Sequence, residues 1–330
     1  MVFRRTSLVL GGLLLASSAA AVEDIPALGL GTWLSDRDSV PHAVEFGLKH
    51  GYDHIDAAWI YRNEDQTGKG IAAAGLPRSD IWVTSKLWNN AHRADEAHAA
   101  IHETLSRLGL AQLDLYLIHW PVAFDPANSD SRHPTLDTET SLVDTWRTLE
   151  DLVRANLTRH IGLSNFAKRD VETILHVCEI CPYAHEFETH PYLQQQEFVD
   201  WHLNEAGIKV IAYSPFGNTN PIYKGHENLP PLLKDSLWVG LAEKKGATPA
   251  QVVLAWGLQR GTIVIPKSTS DEHLLENVAA QKITFTDEEL ELIAKHDKKA
   301  RFSNPSKQWG VQLFADLDDH IEVDVVVDEL

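Results

Sequence analysis

IWVTSKLWNNAHRADEAHAAIHETLSRLGLAQLDLYLIHW (81–120) is the stretch that decides the fold. IWVTSKL (81–87) is a short apolar strand-like run. ADEAHAAIHETLSRLG (94–109) is amphipathic with helical spacing and stops at Gly109. LDLYLIHW (113–120) is a second strand-like run. The alternation extends both ways. Upstream stand ALGLGTW (27–33) and GYDHID (51–56); downstream stand RHIGLSN (159–165), AHEFETH (184–190), KVIAYSP (209–215) and TIVIPKS (262–268). Amphipathic stretches such as 39–51, 63–75 and 141–155 lie between them, with stops at Gly51 and Gly75. Eight such repeats predict an α/β chain of one domain, a (β/α)8 TIM barrel. A doubly wound sheet would show a G-x-G-x-x-G turn after its first strand; Gly29-Leu30-Gly31 lacks the third glycine.

Two insertions, 124–140 and 217–233, follow the fourth and seventh runs, at the barrel end where active sites are built. Beyond Lys298, the aromatic residues Phe302, Trp309 and Phe314 predict a segment that packs back onto the barrel. From Asp316 on, the chain has seven acids and no Lys or Arg, which reads as a solvated tail. The boundaries are therefore 1–21, 22–314 and 315–330.

The net charge of −18 argues against nucleic acid as a partner, because the chain repels phosphate backbones. A small anionic cofactor needs only a local basic pocket. Residues 1–21 read as a secretory signal: Arg4 and Arg5, an uncharged run over 7–21, and small residues at Ala19 and Ala21. The run is too short for a membrane helix, and no span is expected after cleavage. The ending Val327-Asp328-Glu329-Leu330 differs at one residue from the usual retrieval signals. Together the two ends predict the endoplasmic reticulum lumen and a retrieval receptor as partner, with secretion as the alternative. Asn156-Leu157-Thr158 is a glycosylation sequon and equally a helix C′ position for Asn156. Cys178 and Cys181 close a helix rather than open one, which suits a small structural disulfide or two unpaired thiols over thiol catalysis.

Asp56, Tyr61, Lys86 and His119 fall at or just past successive strand ends, so a barrel brings them to one rim. A free phenol is a weak acid. Lys86 is expected to acidify Tyr61, Asp56 to hold Lys86 charged, and His119 to hydrogen-bond a carbonyl oxygen. That is proton donation to a carbonyl reduced by a hydride donor. Trp33, Trp88 and Trp120 follow strands at the same rim and predict an aromatic substrate pocket. No metal site is expected.

The motifs LGLGTW, DAAWIY, TSKLW, LIHWP, IGLSNF, HPYLQQ, AYSPFG and IPKS resemble those of the aldo-keto reductases, from Ile25 to about Phe314. The resemblance implies a monomeric barrel that binds NADP(H) and reduces a small carbonyl substrate, with Tyr61 as proton donor and Asp56, Lys86 and His119 completing a tetrad. It implies cofactor contacts at Thr32, Trp33, Asp56, Ser164, Asn165, Glu186, Tyr213, Ser214, Phe216 and Asn218. On the adenine and 2′-phosphate side it implies Lys267, Ser268, Thr269, His273, Glu276 and Asn277. Trp33, Trp88, His119 and Trp120 would contact substrate.

Three departures stand out. His185-Glu186 replaces the family's Asn-Gln, which puts a carboxyl where a carboxamide is usual. His273 replaces an arginine, with Asp271 and Glu272 nearby, which leaves NADH or dual use as the alternative to NADPH. Signal removal leaves only residues 22–24 ahead of the barrel, so its floor is expected to be more open. The tail NPSKQWGVQLF resembles reductases of glyceraldehyde and sugar-derived aldehydes, including uronate. A low-turnover cofactor-binding regulatory subunit is the second reading. A glycosidase using Glu186 and Glu188 is a third, disfavoured because the two lie adjacent rather than flanking a substrate.

Overall fold

The computed structural model describes residues 24–127, 132–223, 228–314 and 316–317. Residues 1–21, read as the signal, and the four terminal residues lie outside the described residues.

Eight parallel strands run in order around one sheet: β1 Gly29–Gly31, β2 His54–Asp56, β3 Trp82–Leu87, β4 Leu113–Ile118, β5 Thr158–Ser164, β6 Ala184–Glu188, β7 Lys209–Tyr213 and β8 Ile263–Val264. A parallel bridge between Leu28 and Val264 joins the last strand to the first. Each of the eight apolar runs coincides with one strand; seven of the strands are shorter than their runs, and β5 starts one residue earlier than its run. The run ends leave the sheet and carry the residues that face the cavity, such as Trp33 and Trp120.

The apolar runs follow from burial on both faces. On β4, Leu115 and Leu117 pack in the barrel interior, while Tyr116 and Ile118 pack against the outer helices. The helix Ala94–Leu108 buries Ala97, Ile101, Leu105 and Leu108, one stripe at helical spacing. Gly109 ends it at φ 68°, a conformation glycine adopts without Cβ strain. The glycine pair of β1 has a packing cause. A Cβ at Gly29 would sit 2.6 Å from His54 Nδ1, and one at Gly31 would sit 2.9 Å from the Ile265 carbonyl.

The barrel floor is not open as the short N-terminus suggested. Trp82, at the start of β3, is fully buried in the interior cluster beside Ile25. It stacks on His160 and Tyr183 at 5.6 and 6.0 Å. The Tyr183 hydroxyl donates to Asp24 at 2.9 Å, and Lys209 pairs with Asp24 at 3.2 Å. An aromatic plug thus closes the bottom.

Cys178 and Cys181 form a disulfide. Asn156 follows the helix Leu142–Arg154 at φ 60°, the left-handed C′ position, and its side chain accepts from Gln112 at 2.7 Å. Among the described residues no helix is long and apolar enough to cross a membrane. Phe302, Trp309 and Phe314 pack back onto the barrel as expected: Phe302 stacks on His190, Trp309 meets Trp120 and Phe124 at 5.1 Å each, and Phe314 lies 6.3 Å from Trp120.

Candidate active site

The C-terminal strand ends bring the four chemistry-bearing residues together. Asp56 is the last residue of β2, and Tyr61 ends the short 3-10 helix Trp59–Tyr61 that follows. Lys86 lies in β3, two residues beyond the partner of Asp56, and His119 follows β4. Lys86 Nζ lies 2.7 Å from Asp56 Oδ1 and 3.1 Å from the Ala57 carbonyl. The same nitrogen lies 5.3 Å from the Tyr61 ring centroid, and the His119 ring meets the Tyr61 ring edge-on at 5.8 Å. A third acidic partner completes the cluster: Glu186 Oε2 of β6 lies 3.3 Å from Lys86 Nζ.

Burial governs the charges here. It opposes the Lys86 ammonium, but Asp56 and Glu186 outweigh it and hold the lysine protonated. Burial also pushes both carboxyls up while Lys86 pulls them down; Glu186, farther from the ammonium and opposed by Asp56, ends well above the ordinary range. Burial, then Lys86, pushes His119 well below its usual value, so its imidazole is neutral. Tyr61 departs from the sequence expectation. Burial raises the phenol, Lys86 lowers it, and Asp56 and Glu186 raise it again, with a net shift upward. The phenol stays protonated, which is the form a general acid needs.

A cavity of about 730 Å³ opens above this cluster, within the range of small-molecule and cofactor sites. Trp33, Trp88, Trp120 and Trp309 form aromatic walls, and Tyr61, His119, Asn165 and Glu186 reach into it. Tyr213, Ser214, Phe216 and Lys267 also line it. Asn165 and Ser214 adopt left-handed backbone at φ 62° and 50°, an uncommon conformation for side-chain-bearing residues that concentrates at functional sites. Asn165 bridges the walls: its amide donates to the His119 carbonyl at 2.9 Å, and its oxygen accepts from the Tyr213 hydroxyl at 2.7 Å. The half-buried Tyr213 ring is thereby fixed as a flat wall.

The sequence signature of the aldo/keto reductase family matches residues 27–298. The chain belongs to that family. An uncharacterized oxidoreductase of Schizosaccharomyces pombe is 42% identical over 89% of this chain and 92% of its own length. Aldo-keto reductase family 1 member A1 of Rattus norvegicus is 38% identical over 86% and 89%. The aldose reductase structure from Schistosoma japonicum superposes with a TM-score of 0.81 at 35% identity, covering 90% of this chain and 96% of that one. As an aldo/keto reductase, the chain is an NADP-dependent oxidoreductase acting on carbonyl groups.

The donor set suits such a cofactor: a flat, fixed tyrosine ring, neighbouring amide and hydroxyl groups, a buried carboxyl at Glu186 lining the cavity, and an exposed ammonium at Lys267. Not every expected contact reaches this reductase's cavity. Lys86 is buried and is not among the lining residues, whereas its neighbours Asp56 and Tyr61 are. Thr32 is buried, its hydroxyl donating to the Asp56 carbonyl at 2.9 Å. Asn218 ties its own loop, donating to the Pro230 carbonyl and accepting from the Leu232 amide. Asn277 is buried beside Tyr52. Ser268, Thr269, His273 and Glu276 lie at and along the helix Asp271–Ala279, outside the lining. There Asp271 pairs with His42 at 2.9 Å.

Ile60, Tyr223, Asn304, Gln308 and Trp309 line the cavity and were not singled out from sequence as site residues. The aromatic content of 217–233 and of the tail was the available signal. Glu188 is no catalytic partner of Glu186, because its oxygens accept from His190, Phe302 and Ser303.

Proposed function

We propose that this aldo/keto reductase reduces an aldehyde or ketone to an alcohol with NADPH, Tyr61 supplying the proton. The carrying observation is the neutral Tyr61 phenol facing the cavity, directly over the Lys86 ammonium and beside the neutral His119 ring. The cofactor, when bound, supplies a hydride. Asn165 and Tyr213 orient it, and the tryptophan walls exclude water. His119, neutral, has one N–H to donate to the carbonyl oxygen. As that oxygen becomes an alkoxide, far more basic than a phenolate, Tyr61 gives up its proton. Lys86 stabilises the phenolate left behind, and Asp56 keeps Lys86 in place.

The substrate is read as a small sugar-derived aldehyde such as glyceraldehyde. Asn304 and Gln308 offer hydrogen bonds within the aromatic walls. Lys267 is the sole ammonium or guanidinium among the described lining residues. We assign the protein to the endoplasmic reticulum lumen on its two terminal segments; deletion of residues 327–330 should release it to the medium.

Fluorescence titration with NADPH and NADH, then turnover on a panel of aldehydes, tests the reading. Tyr61→Phe should keep NADPH binding and lose about 10²-fold or more in turnover. Full activity in that variant, or no binding of either cofactor to the wild type, overturns the proposal.

A further inference from the structure

Asp56, Lys86 and Glu186 form a buried cluster whose charges do not balance if both carboxyls ionise. All three are at most 2% exposed. One ammonium lies 2.7 Å from Asp56 and 3.3 Å from Glu186. Asp56 Oδ2 is buried without a hydrogen-bond donor among the described residues, and Glu186 Oε2 has only the 3.3 Å contact with the Lys86 ammonium, yet the two carboxyls lie within hydrogen-bonding reach of each other. Two carboxylates cannot bond to one another; a carboxylate and a carboxylic acid can. A single shared proton gives the orphaned Asp56 oxygen a donor and leaves one negative charge for one ammonium. Asp56 is closer to Lys86, so the proton resides on Glu186.

Among the described residues lining the same cavity, Lys267 is the one other ammonium or guanidinium, and it is exposed. The strand partners of Glu186 are Ser164 on β5 and Ile211 on β7. The ionisable groups sharing its cavity wall, Tyr61, His119 and Tyr213, are held neutral. Glu186 is in register with Ser164, next to Asn165 and one strand from Tyr213, so it borders the residues proposed above to orient the cofactor, whose hydride-carrying part is its nicotinamide ring.

We propose that Glu186 sets the redox preference of the site. As a neutral acid whose O–H is given to Asp56, it adds no charge beside the ring and suits an uncharged reduced ring. As a carboxylate it places a second negative charge beside a ring that turns cationic on losing hydride. This rests on the nicotinamide reading above. No group transfer is involved: the shared proton leaves to solvent when the oxidised ring binds, while the proton added to the carbonyl oxygen comes from Tyr61.

The test is calorimetric titration of the full chain with NADP⁺ and with NADPH, each in buffers of different ionisation enthalpy, from mildly acid to mildly alkaline pH. The 2′-phosphate is common to both ligands, so its protons cancel in the difference. NADP⁺ binding should release more protons than NADPH binding, up to about one. The affinity ratio should then move toward NADP⁺ by up to about tenfold per pH unit. In Glu186→Gln the difference in proton release should vanish and the ratio should become flat with pH. In Tyr61→Phe the difference should persist; its loss there assigns the proton to the phenol and overturns the proposal. Equal proton counts for the two ligands in the wild type overturn it as well, whether or not Glu186→Gln folds. Failure of both cofactors to bind the wild type overturns this inference together with the functional reading, whereas binding without differential release overturns this inference alone.

Discussion

Glu188, on strand β6, accepts the backbone N–H of Phe302 at 2.8 Å, although 114 residues separate them in the chain. Its other oxygen accepts from Ser303 at 2.9 Å, and His190 bonds the first at 2.8 Å. One fully buried carboxylate thus anchors the C-terminal segment that supplies Asn304, Gln308 and Trp309 to the cavity wall.

Replacing Glu188 by Gln turns an acceptor-only group into one whose amide N–H faces other N–H donors. We expect a loss of about 2–4 kcal/mol in stability by urea denaturation. KM for the aldehyde should rise more than the cofactor Kd, because the displaced wall belongs to the substrate side. An unchanged urea midpoint would show that the anchor contributes nothing.

Lys86→Met leaves Asp56 and Glu186 buried without their cation. Turnover should fall at least as far as in Tyr61→Phe, and stability should drop by about 3–5 kcal/mol. Adding Asp56→Asn to Lys86→Met should cost less than the sum of the single effects, since the lost partner is the same. A strictly additive double-mutant cycle contradicts the pairing.

His185 and His202 form a directional buried relay. The Phe166 N–H donates to His185 Nε2 at 3.1 Å, so His185 carries its proton on Nδ1 and donates it to His202 Nε2 at 2.8 Å; His202 Nδ1 donates to the Phe198 carbonyl at 2.7 Å. Burial holds both neutral, His202 down to about 4. An unfolded imidazole takes up its proton near 6.5, while the folded relay does not until near 4. Stability should therefore fall as pH drops through that window, by up to about 3 kcal/mol from His202 alone. His202→Gln should lower the slope of unfolding free energy against pH in this window by about 1.4 kcal/mol per unit. A slope that is identical in the variant rules the relay out as the cause.

The Cys178–Cys181 disulfide closes a very short loop, which removes little entropy from the unfolded chain. Its reduction, or replacement of both cysteines by alanine, should cost about 2 kcal/mol and leave turnover unchanged. Loss of activity on reduction would instead assign the pair a role in the site.

The barrel was legible because the strands lie in short, mostly apolar runs and several helices, such as those before Gly75 and Gly109, stop at a visible glycine. These are local signals, and so were Asp56, Tyr61, Lys86 and His119, each set by its distance from a strand end. The sign of the Tyr61 shift was not legible. It depends on how deeply the ring is buried and on two carboxyls, one of them, Glu186, 125 residues away in the chain. The side chains of Asn218 and Asn277 were equally opaque, because motif position does not reveal whether an amide faces a ligand or its own loop.

By itself the amino-acid sequence determined the repeat, the order of strands and which rim carries the chemistry, since hydrophobic period and strand-end position are properties of neighbours in the chain. Only the tertiary structure decided that Glu186 joins Asp56 around Lys86, that Glu188 holds the tail and that Trp82 plugs the floor. Those contacts depend on inter-strand register and barrel curvature, which bring distant residues within hydrogen-bonding and stacking distance and which no local pattern encodes.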